Sequence, residues 1–458
     1  MRSIFSISAF LCRYLLAIIL LSSFNFLNGQ GLVFDDNEYN SSPIKAQLMR
    51  GDYKVPVVAS LKRYSPRPGN QLDYSTSVAW AIAWQASTIL YAKNNKMTNM
   101  DDIVQHIFAP AYLYQNAIED NDCSKGISLA SGLKVAKEKG MPLFSQFVNF
   151  CNGISDPRID SIARMNTITD YSKIFQLSES SERKIVAVKK TISEGYPAVV
   201  GFRVPPSFRT AKEFWQPKEP IDGDYQGHAL CVVGYDDSKY GGAFEVANSW
   251  GGSWGNKGYM WIRYKDFADF VKYGYEVYVA EKDNSYRLKG DLKIELSNGS
   301  AMPVKITAPG KFKAVESYSS GTQFQVKITN EDPAFLYVIG SDLSGECFLL
   351  FPNNNTISAA LTYKSSHIAI PDETHFIEFD DNAGTDFLCV LYSREELDIE
   401  GIVMQITQAK GTFYNKINEV LGHDLLNESI NWSDSNMSFE GDSNNGTVVA
   451  AIVEIEHN

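Results

Sequence analysis

A single histidine opens the apolar run Gly227-His-Ala-Leu-Cys-Val-Val-Gly-Tyr235, and the turn Asn248-Ser-Trp-Gly-Gly-Ser-Trp-Gly255 follows it. An imidazole serves as a general base only when its tautomer is fixed, and an asparagine side-chain oxygen can accept the ring N–H that fixes it. Trp250 offers an indole that could lie against the pair and keep water away, and the glycines at 251, 252 and 255 leave room for it. His228, Asn248 and Trp250 therefore form half of a nucleophilic-catalysis site. The nucleophile must lie upstream.

The run around His228 reads as a buried strand, and it belongs to a series of short β-branched and aromatic runs. These are 198–204, 228–235, 243–247, 259–264 and 273–280. Before Pro197 the pattern is helical. Residues 77–93 contain neither Gly nor Pro and are apolar almost all round, which predicts a buried helix capped by Ser75, Thr76 or Ser77. Two further helices are expected at 128–139 and 182–194, stopped by Gly140 and Gly195. A helical half followed by a strand half indicates an α+β unit of two lobes, spanning residues 54–283. Residues 284–458 form a second, β-rich domain. Its expected strands are 324–329, 335–339, 348–351, 375–379, 387–392 and 448–456, with a helical segment over 395–408 that could resume to 426.

The 458 residues carry a net charge of -12 and show no basic stripe, which argues against nucleic acid as a partner. Residues 1–30 read as a secretory signal peptide, with Arg2 and Arg13 before an apolar run too short to span a bilayer. A secreted, periplasmic or cell-envelope location follows as an expectation, with no membrane span. Residues 31–53 read as an acidic, extended leader without a clear period. An oxidising compartment permits disulfides, and Cys123 and Cys151, both in loop-like sequence, are the best candidate pair. Cys231 and Cys389 sit in apolar runs and read as buried thiols. No cluster has the spacing of a metal site, and no cofactor is expected.

The helix start at Gln71…Ser77, the His228 strand and the pattern Asn248-Ser-Trp-Gly-x-x-Trp-Gly-x-x-Gly-Tyr259 together resemble the papain-like cysteine peptidases over about half the chain. The resemblance implies a two-lobed papain-like fold, a helical lobe beside a β-barrel-like lobe, and a peptide or protein as substrate or ligand. It implies that Gln71 is the oxyanion donor, His228 the base, Asn248 its orienting partner and Trp250 the shielding indole. Gly126, in Cys123-Ser-Lys-Gly126, falls in the loop that lines the family's main specificity pocket.

The family's nucleophile is a cysteine thiolate, formed at a helix N-terminus beside an imidazolium. Here that position falls on Ser77. A hydroxyl is not ionised by a helix end, and an His–Asn pair lacks the carboxylate that supports the imidazolium in serine hydrolases. Loss of a triad nucleophile costs on the order of a million-fold in kcat, about 8 kcal/mol. The neighbourhood departs from the family as well, at Leu72, Tyr74, Ser75 and Val78. The expectation is a pseudopeptidase that keeps a peptide-binding cleft. An active hydrolase using Ser77 with His228, and an envelope-associated binding protein, are the alternatives.

Overall fold

The computed structural model describes residues 30–46, 55–120, 122–151, 153, 156–281, 287–342, 345–362, 366–426, 430–433, 437–442 and 446–458. The expected signal peptide lies outside these residues, apart from Gln30. Among the described residues no helix is long and apolar enough to cross a membrane.

Of four hydrophobic clusters among the described residues, the two largest divide the chain. The first is built on a central helix, α2, which begins as an α-turn at Ser77–Ala79, widens to a π-helix at Trp80–Ser87 and ends α-helical at Thr88–Asn94. It is buried on nearly every side, as its all-round apolar sequence requires. Thr76 is its N-cap position, yet no side chain caps it. Ser77, expected among the caps, is instead the first helical residue. Helices α3 (Leu129–Glu138) and α4 (Ser181–Ser193) do have side-chain caps, from Ser128 and Ser180.

The second lobe is a mixed sheet. Its strands are β3 (Asp170–Lys173), β4 (Ala198–Val204), β5 (Phe214–Trp215), β6 (Gln226–Asp236), β7 (Ala243–Ala247), β8 (Tyr259–Arg263) and β9 (Val271–Tyr278), in the order β3-β9-β4-β6-β7-β8-β5. Two short strands, β1 (Gly31–Leu32) and β2 (Val58–Ser60), add to β6. Residues 227–235 of β6 are buried without alternation, because neighbours cover both faces.

The leader is not a featureless extended segment. After β1 it forms helix α1 (Asp36–Ser41), whose N-cap Asp35 accepts from the Glu38 N–H. Its acidic composition hides Tyr39, which is buried, stacks on Tyr273 with ring centres 4.4 Å apart and donates its hydroxyl to the Phe175 carbonyl. Leu32 and Tyr39 belong to the same core as α2.

The C-terminal unit has two sheets. One runs Ser366–Ile370, Gln323–Asn330, Arg287–Leu296, Ser438–Asp442, Ile430–Ser433 across its width, and the other Val304–Ala308, Lys311–Ala314, Val448–His457, Gly384–Ser393, Ala334–Ser341, Cys347–Phe351. The central strand of the second sheet shows why it is apolar throughout. Leu336 and Val338 face the first sheet, while Phe335, Tyr337 and Ile339 face two helices, Ile399–Gln408 and Phe413–Leu421. The helical segment expected from residue 395 thus begins at Ile399 and is broken at 409–412. The strand expected over 375–379 is only Ile377–Glu378, because Asp372 ties 372–375 into a turn.

Candidate active site

Gln71, Ser77, His228, Asn248 and Trp250 converge where the start of α2 meets the start of β6. His228 lies fully buried on β6, and its Nε2 sits 2.6 Å from Asn248 Oδ1. Trp250 covers the ring at 4.7 Å between ring centres and leans in turn on Phe208 and Trp254. Arg209, which sequence reasoning did not single out, lies 5.8 Å over the Trp250 ring.

Ser77 Oγ accepts a hydrogen bond from the Ala229 N–H at 3.2 Å, and none joins it to His228. Gln71 Nε2 donates to the Tyr74 carbonyl, 2.7 Å, and Gln71 Oε1 accepts from the Ser249 hydroxyl, 2.6 Å. The loop before α2 is further tied to the Trp250 turn through Gln71 N–H to the Ser249 carbonyl and Gly251 N–H to the Gly69 carbonyl. Cys123 and Cys151 form a disulfide with Cα atoms 5.8 Å apart, and the Cys123 carbonyl accepts the Ser75 N–H. Cys231 and Cys389 are buried free thiols.

The decisive neighbour is the leader. The Gln30 carbonyl stands 3.0 Å from His228 Nδ1. Gly31 and Leu32 pair antiparallel with His228 and Gly227, while the Ile127 N–H donates to the Gly31 carbonyl and the Val33 N–H to the Ile127 carbonyl. Residues 30–33 thus run as a strand through the cleft between the lobes, hydrogen-bonded on both sides. Glycine is required both in the strand and on the wall it faces. A Cβ on Gly31 (φ +90°) would stand 2.4 Å from the Ser75 carbonyl carbon, and one on Gly126 2.7 Å from the Gly31 carbonyl oxygen. Gly126 therefore lines the cleft, but its neighbour there is the protein's own chain. The apolar Gly31-Leu-Val-Phe34 ahead of Asp35-Asp36 is the trace this strand leaves in the sequence.

These contacts frustrate the imidazole. A neutral ring has one N–H, yet both nitrogens face oxygens that can only accept. Asn248 Oδ1 is held in place because it also accepts the Ser249 N–H at 2.7 Å. Both contacts would be satisfied by an imidazolium, but burial dominates and pushes the pKa down to about 4, with the Arg209 charge acting in the same sense. At neutral pH the ring is neutral and its Nδ1 edge is covered by a main-chain carbonyl.

Among the described residues no group of three or more His, Cys, Asp or Glu side chains is placed to hold a metal ion.

Residues 119–280 match the family model of the papain family cysteine proteases, and residues 317–396 match a domain of unknown function, DUF4384. An uncharacterized peptidase C1-like protein of Acanthamoeba polyphaga mimivirus is 25% identical over 237 residues, covering 49% of this chain and 73% of that protein. Among solved structures, xylellain, a cysteine protease from Xylella fastidiosa, is 20% identical with a TM-score of 0.45, covering 55% of this chain and 97% of that one. Digestive procathepsin L2 from Tenebrio molitor is 16% identical with a TM-score of 0.45, covering 55% and 78%. Within the two-lobed unit, residues 119–280 thus carry the match to the papain family cysteine proteases, and the match to DUF4384 follows in the same chain.

Proposed function

We propose that this is an exported papain-family protein without peptidase activity, whose cleft serves as a groove for an extended strand. One observation carries the reading: both nitrogens of His228 face acceptors other than Ser77, while the Ser77 hydroxyl accepts from the Ala229 N–H. A serine at a helix start has no thiolate to offer, and the base that could activate it is weakened by burial, its pKa lowered to about 4, and covered at Nδ1 by the Gln30 carbonyl. The groove itself is intact, since it holds residues 30–33 by main-chain hydrogen bonds from both lobes. Such bonds favour peptide backbone as the ligand class. Export rests on the signal-like sequence of residues 1–30.

Turnover of a peptide library by the purified mature protein, run beside Ser77→Ala, tests the reading. Both are expected to be equally inactive. Cleavage by the native chain that Ser77→Ala abolishes would make Ser77 a working nucleophile and end the proposal.

A further inference from the structure

The leader does not stop at the cleft. Past α1, residues 43–46 lie between the two cores with both edges hydrogen-bonded. On one edge the Lys173 N–H of β3 donates to the Pro43 carbonyl at 2.8 Å, and the Lys45 N–H donates to the Lys173 carbonyl at 3.0 Å. On the other edge the Ile44 N–H donates to the Thr356 carbonyl of the DUF4384-bearing unit at 2.7 Å, and the Ser358 N–H donates to the Ile44 carbonyl at 2.9 Å. Ile44 is thereby bridged in parallel to Lys173 and to Ile357 at once. Ala46, the next described residue but one, packs into the C-terminal core.

Charge reinforces the joint. Lys45 is buried, with its Nζ 2.9 Å from Glu194 Oε2 and 2.5 Å from Glu276 Oε2. The other oxygen of Glu276 accepts from Thr362 of the C-terminal unit at 2.6 Å. Ser358 donates likewise to the buried Asp170, 3.2 Å. One of the two carboxylates that hold the leader's lysine, Glu276, is therefore itself held by the C-terminal module.

We propose that the C-terminal module is a clamp whose function is to keep the leader strand in the cleft. The leader has an anchor at each end, residues 30–33 in the groove and 43–46 under the module, joined by α1, which Tyr39 fixes to the sheet lobe. Withdrawing the module removes one full edge of the second anchor and the Thr362 bond to Glu276. The leader is then held at that end only by β3 and by the Lys45 bonds to Glu194 and Glu276. Movement of the module, on binding whatever partner it meets, is thus coupled to exposure of the groove. This goes beyond the proposed absence of turnover and does not depend on it, because a strand covers a reactive serine as well as an inert one.

A thiol placed at the cleft floor reports on the strand. In the full chain carrying Ser77→Cys, alkylation by iodoacetamide is followed by peptide mapping, with Cys231 as the internal measure of unfolding. The clamp is opened by Ser358→Pro, which deletes the N–H given to Ile44, and more gently by Ser358→Ala with Thr362→Val. Gly31→Trp expels the strand directly. Expected are slow alkylation of position 77 in the parent, a rise of at least tenfold in both clamp variants and in Gly31→Trp, and an unreactive Cys231 throughout. Parent-level labelling of position 77 in the clamp variants while Gly31→Trp labels fast would overturn the clamp. If Ser358→Pro exposes Cys231, the double variant decides alone. Fast labelling in the parent, or none in Gly31→Trp, would show that the strand does not close the cleft, and the clamp falls with it.

Discussion

His228 should destabilise the protein as the solution is made acidic. Burial lowers its pKa from 6.5 to about 4, so between these values the unfolded chain holds a proton that the folded chain does not. The stabilising contribution is complete above pH 6.5 and is lost as the pH falls toward 4. A shift of this size corresponds to about 3 kcal/mol in full, of which about 2 kcal/mol is gone by pH 5. Buried carboxylates such as Asp170, whose pKa burial raises, work in the opposite sense, so total stability is the wrong readout. Two measurements isolate the effect. One is the NMR titration of the six histidines, with the His228 signals assigned by their absence in His228→Gln. The other is the difference in urea stability between native protein and His228→Gln from pH 7 to pH 5, which should narrow by about 2 kcal/mol. A His228 resonance titrating near 6.5 would refute the argument. The two acceptor oxygens would then offset desolvation in full, and burial would cost the site nothing in acid.

Three further outcomes are expected. Asn248→Ala leaves the His228 Nε2 edge and the Ser249 N–H without their shared partner in a buried place, and should cost about 2–3 kcal/mol in urea unfolding. Lys45→Met strands Glu194 and Glu276 as buried charges without their cation, and should cost about 3–5 kcal/mol, with Lys45→Arg much milder. Replacing Cys123 and Cys151 by serine opens a closure of 28 residues and should lower stability by about 3–4 kcal/mol, measured against the native protein with and without reductant.

The parts of the fold that were legible in the sequence are those where burial is uniform. Strands β4 and β7 were expected at the bounds they have, because each is an apolar run that a single charged residue, Arg203 or Glu245, does not break. Helix α2 was legible for the same reason, although nothing in a stretch of Ala, Trp and Ile distinguishes π from α register. Strand Arg287–Leu296 escaped because Arg287, Lys289, Asp291, Lys293 and Glu295 dominate its composition, while only Leu288, Leu292 and Ile294 reach the core. The leader escaped for a different reason. Its order comes from single residues, Gly31 and Tyr39, each packed against elements far away in sequence, and contacts of that kind leave no period behind. The residues assembled around His228 could be named in advance, but the occupant of the cleft could not.

That occupant changes what the assembled residues mean. A histidine, an asparagine, a tryptophan and a glutamine in the right order invite the inference of turnover, since each has a catalytic role in the resemblance that picked them out. Here the same atoms have other partners: His228 Nδ1 meets the Gln30 carbonyl, Gln71 spans from Tyr74 to Ser249, and Ser77 receives the Ala229 N–H. Hydrogen bonding in a buried site is close to a closed account, because each unmet donor or acceptor costs about 1–3 kcal/mol. If these side chains are needed to receive and seat an extended backbone, their presence requires no reaction at all. The discriminating fact is then not which residues line the cleft but whether the strand ever leaves it. A papain-like groove that stays filled is a structural joint between leader and sheet, and one that empties when the C-terminal module moves is a regulated binding site.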